Sequence, residues 1–415
     1  MSSVLILRLN SFIVKNRRLL EFAAALAILV TAILPRLMLV FFMKHPPLVT
    51  DAYNYDVMTK QFLDKGFWGY NDTVPNALIT PGYPLFLSII YAMSGYGQGS
   101  PLTAVRVVQA LIGALTCLIV YLIARKLINR KCGIIAGFIY ALYPPFIWSP
   151  TLILTETLYN FLFLLYIYLQ ILVLSSRSKA VSFSCGLTFA AAVMVRPLVF
   201  PLFFLPFLAH FILKRDWSII KMFGFSLLGV LVIMVPWWIR NIITMDKFIL
   251  LATQTGFPFI AGMFPYHRNV DVSHYQAKNQ MAEGLKILME GLRTDPVLYI
   301  KWFTIGKLQS IFGYMWLEIN QFYFLLYLKP LHYLIVVFGW IGTFYSIFKK
   351  EIIVIPVFVV LLTCMQLMFT AWPRYAYPII PLLIISMLYF LNSMFKNIRS
   401  KIKGNSRASS AQTRS

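Results

Sequence analysis

Residues 101–124, PLTAVRVVQALIGALTCLIVYLIA, form an apolar run that holds one charged side chain, Arg106, near its start. A helix needs about 20 such residues to cross roughly 30 Å of hydrocarbon, and this run is long enough. Similar runs recur along the chain, in which 60% of the 415 residues are apolar and 12% are charged. Because backbone groups in lipid must bond within their own segment, the pattern predicts an all-α membrane protein.

About ten transmembrane helices are expected from these runs. Their limits are about 19–43, 101–124, 132–148, 151–174, 180–195, 197–213, 219–240, 326–348, 352–371 and 374–395. With this count, every short connection rich in Lys and Arg falls on one face, together with the basic C-terminal residues. The positive-inside rule makes that face, and both termini, cytoplasmic. The net charge of +23 is thus explained by topology, and nucleic acid is not expected as a partner.

Two long segments, the first loop (44–100) and the second loop (241–325), lie on the outer face in this scheme. The second contains MAEGLKILMEGL (281–292), where apolar residues recur at helical spacing beside charged ones. That spacing predicts helices lying in the membrane interface. Residues 1–395 thus form one transmembrane domain, and the polar, basic segment 396–415 is expected to be a disordered cytoplasmic tail.

Charged residues are costly inside a bilayer, so their positions are informative. The charged residues of the spans fall near outer helix ends: Arg36, Arg106, Glu156, Arg196, Arg240 and Arg374. Arginines at that depth suit a lipid phosphate, because the guanidinium offers donors matched to phosphate oxygens. The alternative is that they extend to the interface and pair with carboxylates or lipid headgroups.

The first loop begins VTDAYNYDVMTKQFLDKG at 49–66, which places Asp51 just above the membrane. A carboxylate there can act as a general base on an acceptor hydroxyl if it lies within hydrogen-bond reach. Asp51 also follows Thr50 at the start of a predicted helix, where aspartate commonly caps the N-terminus. On the pattern alone, the cap is the favoured interpretation.

Six motifs follow one another at predicted outer helix ends. They are TDAYNYDVMTKQFLDKG (50–66), TPGYPLFLSIIY (80–91), LTETL (154–158), VRP (195–197), PWWIRN (236–241) and RYAYPIIPLL (374–383). In this order they resemble the GT-C type membrane glycosyltransferases. The resemblance is to the bacterial branch related to protein O-mannosyltransferases and the lipid A aminoarabinose transferase. It implies a multi-pass protein of the bacterial cytoplasmic (inner) membrane with its active site on the outer face.

The resemblance also implies a reaction and a base. Asp51 matches the acidic residue that is catalytic in such families, as base of an inverting single displacement. Sugar would pass from a polyprenyl-phosphate donor to an acceptor hydroxyl on a lipid, polysaccharide or protein. Ala52 stands where protein mannosyltransferases typically have Glu, which speaks against mannose as the sugar and protein as the acceptor.

The departing phosphate gains negative charge, which nearby cations stabilise. The candidates are Arg240, Arg374 and Lys60, with Arg196 behind them. Each is alternatively a membrane-edge anchor. Candidate sugar or groove contacts are Tyr53, Tyr55 and Tyr83, although most outer aromatics belong to an ordinary interfacial belt.

Glu156 requires a partner if it is buried, and an arginine of the outer group is expected to supply it. A structural ion pair is favoured over a role in orienting catalytic groups or in binding a divalent cation. No His/Asp cluster has metal-ligand spacing, so the sequence assigns no cofactor beyond a candidate divalent cation. The four cysteines form no CxxC pair and are expected to be small core residues.

Two other functions remain open. A polysaccharide polymerase or ligase acting on diphosphate-linked oligosaccharides shares the many spans and a long outer loop. A transporter of lipid-linked sugars is the third hypothesis. It is disfavoured because no polar residue is expected at mid-membrane depth and no internal repeat is evident.

Overall fold

The computed structural model describes residues 17–97, 100–253, 256–267, 280–317 and 327–412. Within these ranges the chain forms helices and their connections and no β-strand, as the apolar runs predict. The predicted domain also includes residues 1–16, and the second loop includes 254–255, 268–279 and 318–325. These residues lie outside the described part of the chain.

The helices are numbered here in chain order. They are α1 (Arg17–Phe42), α2 (Thr50–Lys65), α3 (Gly82–Met93), α4 (Leu102–Leu127), α5 (Arg130–Leu142), α6 (Pro144–Trp148), α7 (Glu156–Ser176), α8 (Lys179–Val195), α9 (Leu205–Lys214), α10 (Ser218–Met245), α11 (Gly256–Met263), α12 (Gln280–Thr294), α13 (Pro296–Lys301), α14 (Lys307–Phe312), α15 (Lys329–Ser346), α16 (Val354–Leu367) and α17 (Ile380–Gln412). Short 3-10 turns cover Ser149–Thr151, Pro197–Leu202 and Pro373–Ala376.

The predicted count of ten spans is not confirmed. By length and composition, six helices in the described part of the chain are able to cross a membrane: Arg18–Phe42, Leu102–Leu127, Glu156–Ser176, Pro197–Lys214, Ser218–Met245 and Ile380–Ile402. A seventh arises if Arg130–Leu142 and Pro144–Thr151, bent by 63°, count as one. The apolar helices α3, α8 and α16 are shorter. The protein is thus a multi-pass, all-α membrane protein.

Proline explains where predicted spans break. The helix expected over 132–148 ends at Leu142, because Pro144 and Pro145 follow and proline cannot continue an α-helix. The span expected to begin at 374 has its α-helix from Ile380, so Arg374 lies in a turn after α16. Several candidate site residues are therefore held by breaks between helices.

Small residues allow the helices to pack closely. A Cβ added to Gly186 in α8 would lie 1.8 Å from the carbonyl oxygen of Ser226 in α10. A Cβ added to Gly342 in α15 would lie 2.2 Å from the oxygen of Ser386 in α17. Such close backbone approach is typical of helix pairs in membranes.

The short basic connections meet at one end of the bundle, named here the basic face. Three side-chain pairs show this: Arg125 with Glu21 at 2.9 Å, Arg177 with Asp216 at 2.6 Å, and Asn129 with Asn392 at 2.9 Å. α17 runs on from this face to Gln412. The segment 396–415, expected to be a disordered tail, is therefore helical up to that residue.

Candidate active site

The first loop leads directly into α2 at the face opposite the basic one. Val49 is extended, and Thr50 then adopts a φ of 50° before the helix continues. A β-branched residue with positive φ is strained, and such strain is often found at functional sites. Asp51 follows in the first turn of α2.

Asp51 does not cap this helix, although the pattern alone favoured a cap. The N-cap position belongs to Val49, which makes no side-chain cap. The Asp51 carboxylate instead accepts a hydrogen bond from the Tyr70 hydroxyl at 2.9 Å and one from Arg374 Nη2 at 3.3 Å. The Asp51 side chain therefore connects α2 to two segments that are distant in sequence, those of Tyr70 and Arg374.

A charge cluster forms around this carboxylate and consists of Asp51, Glu156, Arg196 and Arg374. Glu156 is 2% exposed at its side chain and is paired with Arg196 Nη2. Arg374 Nε lies 4.0 Å from the same carboxyl oxygen of Glu156. The cluster holds two positive and two negative groups, and Arg374 connects its two carboxylates.

The chain around Glu156 is fixed by polar side chains of α4. Gln109 donates to the carbonyl oxygens of Pro150 and Leu152 at 2.9 and 2.7 Å, and Arg106 Nε donates to that of Thr151 at 2.9 Å. These bonds satisfy buried carbonyl groups that the broken helix leaves free. Arg106, one of the outer arginines, thus supports the backbone just before α7.

The PGYP sequence brings α3 against the end of α8. A Cβ on Gly82 would lie 2.5 Å from the carbonyl oxygen of Met194, so this position accepts only glycine without movement. Tyr83, the next residue, is buried and donates to Gln109 Oε1 at 3.0 Å. The turn therefore places Tyr83 beside the segment that carries Arg196.

A cavity of about 1460 Å³ opens beside the cluster, and Asp51, Arg196 and Arg374 line it. Aromatic residues contribute to the lining: Tyr55, Tyr70, Tyr83, Tyr159, Trp316 and Trp372. Much of the remaining lining is apolar and comes from the ends of spans, for example Leu198, Pro201, Met365 and Met368. The cavity is therefore suited to a ligand with an anionic group and a long apolar part.

Two tyrosines connect the cluster to the cavity. The Tyr55 ring lies 5.7 Å from the Tyr70 ring and 5.0 Å from the Tyr83 ring. Burial, and then the negative charge of Asp51, raise the pKa of Tyr55 and of Tyr70 well above the ordinary value. Tyr70 therefore keeps its proton at physiological pH and remains a donor to Asp51.

Lys307 holds the segment that carries Arg374. Its Nζ is buried and donates to the carbonyl oxygens of Leu367, the last residue of α16, and of Phe369, at 2.7 and 3.0 Å. It also lies 4.1 Å from the centre of the Phe303 ring. Burial lowers the pKa of Lys307 to about 7. The neutral amine can still donate both hydrogen bonds.

Three predicted residues are placed elsewhere. Arg240 donates to the carbonyl oxygens of Asn76 and Trp68 at 3.0 and 3.3 Å, so it anchors the first loop to α10. Lys60 pairs with Asp56 of its own helix at 2.8 Å. The Tyr53 side chain is 54% exposed. None of these three lines the cavity.

Tyr70 and Tyr159 were missed in the sequence. Tyr70 lies 19 residues after Asp51, in a stretch without helical or strand periodicity, and only the folded loop brings it back. Tyr159 lies one turn after Glu156 on α7 and faces the same cavity. The spacing of three residues from Glu156 was the available signal.

Comparisons with known proteins bear on this arrangement. Residues 79–239, less than half of the chain, match the family model described as dolichyl-phosphate-mannose-protein mannosyltransferase. The crystal structure of ArnT from Cupriavidus metallidurans bound to undecaprenyl phosphate is similar, with 15% identity and a TM-score of 0.52. The fold is that of the GT-C membrane glycosyltransferases. The match covers 90% of this chain and 59% of the ArnT chain.

A second structure has the same GT-C fold. The oligosaccharyltransferase of Archaeoglobus fulgidus, in complex with Zn and sulfate, matches with 13% identity and a TM-score of 0.52. That match covers 90% of this chain and 50% of the other. The present chain thus spans roughly half to three fifths of these GT-C proteins. A comparison with curated proteins found no significant match.

Asp51 and Glu156 are the two groups of the cluster that could bind a divalent cation. Within the described residues, no group of three or more His, Cys, Asp or Glu side chains could hold a metal ion. Asp51 and Glu156 are both engaged by arginines instead. The charges facing the cavity are those of two guanidinium groups, Arg196 and Arg374, and one carboxylate, Asp51.

Proposed function

We propose that the protein is a glycosyltransferase that moves a sugar from a polyprenyl-phosphate donor to an acceptor hydroxyl at the outer face of the membrane. The observation that carries this proposal is the position of Asp51, Arg196 and Arg374 on a large cavity whose remaining lining is mostly apolar. A lipid-linked sugar phosphate has the matching parts. The undecaprenyl phosphate named with the ArnT structure supports the choice of donor.

Arg196 and Arg374 are the proposed phosphate ligands. Strong charge-assisted hydrogen bonds measure about 2.7–2.9 Å. Arg374 lies farther than that from both of its carboxylate partners, at 3.3 Å from Asp51 and 4.0 Å from Glu156. Its guanidinium therefore keeps donors for a phosphate. The prenyl chain would follow the apolar lining around Pro201 and Met365.

Asp51 is the proposed base. The acceptor hydroxyl gives its proton to the Asp51 carboxylate as its oxygen bonds to the anomeric carbon. The bond from that carbon to the phosphate oxygen breaks, and polyprenyl phosphate leaves with an additional negative charge. The displacement inverts the configuration at the anomeric carbon. The two arginines stabilise the departing phosphate more than the bound donor.

Tyr70 and Glu156 keep these groups in place. When the donor phosphate binds Arg374, the Asp51 oxygen that contacted Arg374 becomes available to the acceptor hydroxyl. The other oxygen of Asp51 still accepts a hydrogen bond from the Tyr70 hydroxyl at 2.9 Å. Glu156 is buried between the two arginines and orients both. Correct orientation of charged groups accounts for a large part of catalysis of this kind. The basic face and both termini are cytoplasmic in this proposal.

The proposal is tested in cells that carry the wild type, Asp51→Asn or Asp64→Asn at equal protein level. Asp64 lies on the same helix but is exposed and does not line the cavity, so it controls for loss of a carboxylate. Mass spectrometry of lipids, surface polysaccharides and secreted glycoproteins should show a glycan lacking one sugar in Asp51→Asn alone. A prenyl-phosphate sugar should accumulate there.

Two outcomes contradict the proposal. Unchanged glycans in Asp51→Asn would remove Asp51 as the base. Accumulation of a polyprenyl-diphosphate oligosaccharide instead of a monophosphate sugar would assign the protein to the polymerases or ligases.

A further inference from the structure

A second cavity lies at the basic face, at the other end of the bundle from the charge cluster. It has a volume of about 280 Å³ and lies between the ends of α4, α7 and α9 and the start of α16. Apolar side chains form much of its lining, among them Ile171, Leu174, Leu213 and Phe358. Three lysines also line it: Lys126, Lys214 and Lys350.

These lysines differ from two neighbouring arginines, Arg125 and Arg177. Arg125 is paired with Glu21 at 2.9 Å and Arg177 with Asp216 at 2.6 Å. Within the described residues, none of the three lining lysines forms an ion pair with a carboxylate. The one acidic residue of the lining, Glu351, accepts a hydrogen bond from the Tyr389 hydroxyl at 2.6 Å. The cavity thus has an excess of positive charge.

We propose that this cavity binds an anionic phospholipid of the leaflet at the basic face, with the headgroup phosphate among the lysines and the upper acyl chain against the apolar side chains. Basic pockets between membrane helices on the cytoplasmic side are suited to such headgroups. The cavity lies at the ends of spans, at the depth where the headgroups and the upper acyl chains of membrane lipids meet. A phospholipid can therefore enter it from the bilayer. Its small volume fits a headgroup and the start of a chain.

The proposed lipid should stabilise the folded protein. It fills the space between α9 and α16, two helices whose far ends contribute to the large cavity through the preceding turn Pro197–Leu202 and through Met365. A ligand that binds only the folded protein stabilises it by mass action. Anionic lipid should therefore raise the melting temperature of the purified protein.

The test is lipid binding to the full chain in detergent, followed by native mass spectrometry. The probes are phosphatidylglycerol and phosphatidylcholine with the same acyl chains. The wild type is compared with the triple variant Lys126→Gln, Lys214→Gln, Lys350→Gln. A second triple, Lys131→Gln, Lys179→Gln, Lys221→Gln, removes the same charge from exposed lysines of the same face that do not line the cavity.

We expect retained phosphatidylglycerol to fall by about fivefold for each lining lysine removed, because each lysine near a headgroup contributes about that factor. The second triple should retain it nearly as the wild type does. Ala209→Phe, which fills the cavity and keeps the lysines, should also lose it. If Ala209→Phe does not fold, the two lysine triples decide alone.

Three results would overturn the proposal: equal loss in the two lysine triples, unchanged binding in a folded Ala209→Phe protein, or equal retention of phosphatidylcholine. Displacement of phosphatidylglycerol by an equimolar amount of polyprenyl monophosphate would assign the cavity to the carrier instead.

Discussion

The two ends of the bundle both bring arginines and carboxylates together, but they pair them differently. At the basic face two arginines each have one carboxylate partner: Arg125 has Glu21 and Arg177 has Asp216, at 2.9 and 2.6 Å. At the opposite face Glu156 is shared by Arg196 and Arg374, and Arg374 also reaches Asp51 at the longer distance of 3.3 Å.

This difference distinguishes an anchor from a site. A close one-to-one pair at a surface satisfies both charges, leaves little for a ligand and contributes modestly to stability. Arginines that share carboxylates beside a cavity of about 1460 Å³ can accept a further anion. The pattern of pairing, more than the number of charges, therefore separates the proposed catalytic end from the basic face.

Among changes to the arginines and their partners, the largest effect is expected from Arg374→Gln. Removing a cation that stabilises charge in the transition state costs about 10²–10³ in rate. Sugar transfer by membranes containing this variant should fall by that factor. Arg177→Gln, which breaks a pair at the basic face, is the matched control and should leave the transfer rate nearly unchanged. Equal losses in the two variants would remove the distinction between the two ends.

Glu156→Gln should have the next largest effect. The buried carboxylate orients both arginines, and misplacement by about 1 Å can cost roughly 10²-fold in rate. Removing one partner of a buried pair also costs about 3–5 kcal/mol of stability. The rate and the melting temperature should therefore both fall. Glu21→Gln, at the partly exposed pair with Arg125, should lower the melting temperature less and keep the rate. A wild-type rate in Glu156→Gln would contradict this role.

A smaller effect is expected from Tyr70→Phe. The variant keeps the ring but loses the hydroxyl that donates to Asp51 at 2.9 Å. A hydrogen bond to a charged group contributes about 1.5–3 kcal/mol, so the rate should fall by at least about tenfold. Tyr96→Phe, which removes the bond to the exposed Asp64, is the control. Similar rates in the two variants would show that Tyr70 does not position Asp51.

The smallest effect concerns Lys307 and pH. Burial lowers its pKa from the ordinary 10.5 to about 7, so between these values the unfolded chain holds a proton that the folded protein has released. Raising the pH through this window therefore favours the folded state. The melting temperature of the wild type, measured relative to Lys307→Met, should rise between pH 7 and 10. A constant difference would show that Lys307 remains charged in the folded protein.

The fold class was accessible from the sequence because long apolar runs leave no alternative to helices in lipid. The number of spans was not accessible. Pro144 and Pro145 bend one predicted span by 63°. The helix expected to start at 374 begins at Ile380, after a short turn. Apolar composition predicts that a segment is buried in the membrane, but it does not predict where the helix breaks.

The candidate site was accessible in part. Glu156, Arg196 and Arg374 were singled out because charged residues at span ends are conspicuous. Asp51 was singled out because the first loop resembles that of the GT-C glycosyltransferases. The contacts among these four residues depend on tertiary structure. The pairing of Lys60 with Asp56 and the bond from Arg240 to the first loop depend on it too. Tyr70 carried no sequence signal, since it reaches Asp51 only through the folding of an irregular loop.

The roles of Asp51 as base and of Arg196 and Arg374 as phosphate ligands are separated by measuring donor binding and sugar transfer independently in the purified protein. Binding of polyprenyl phosphate and transfer of the sugar would be measured for the wild type, Asp51→Asn and the double variant Arg196→Gln, Arg374→Gln. We expect Asp51→Asn to bind the lipid phosphate like the wild type but to transfer no sugar, and the double variant to lose binding. Transfer at the wild-type rate by Asp51→Asn, or unchanged binding in the double variant, would contradict these roles.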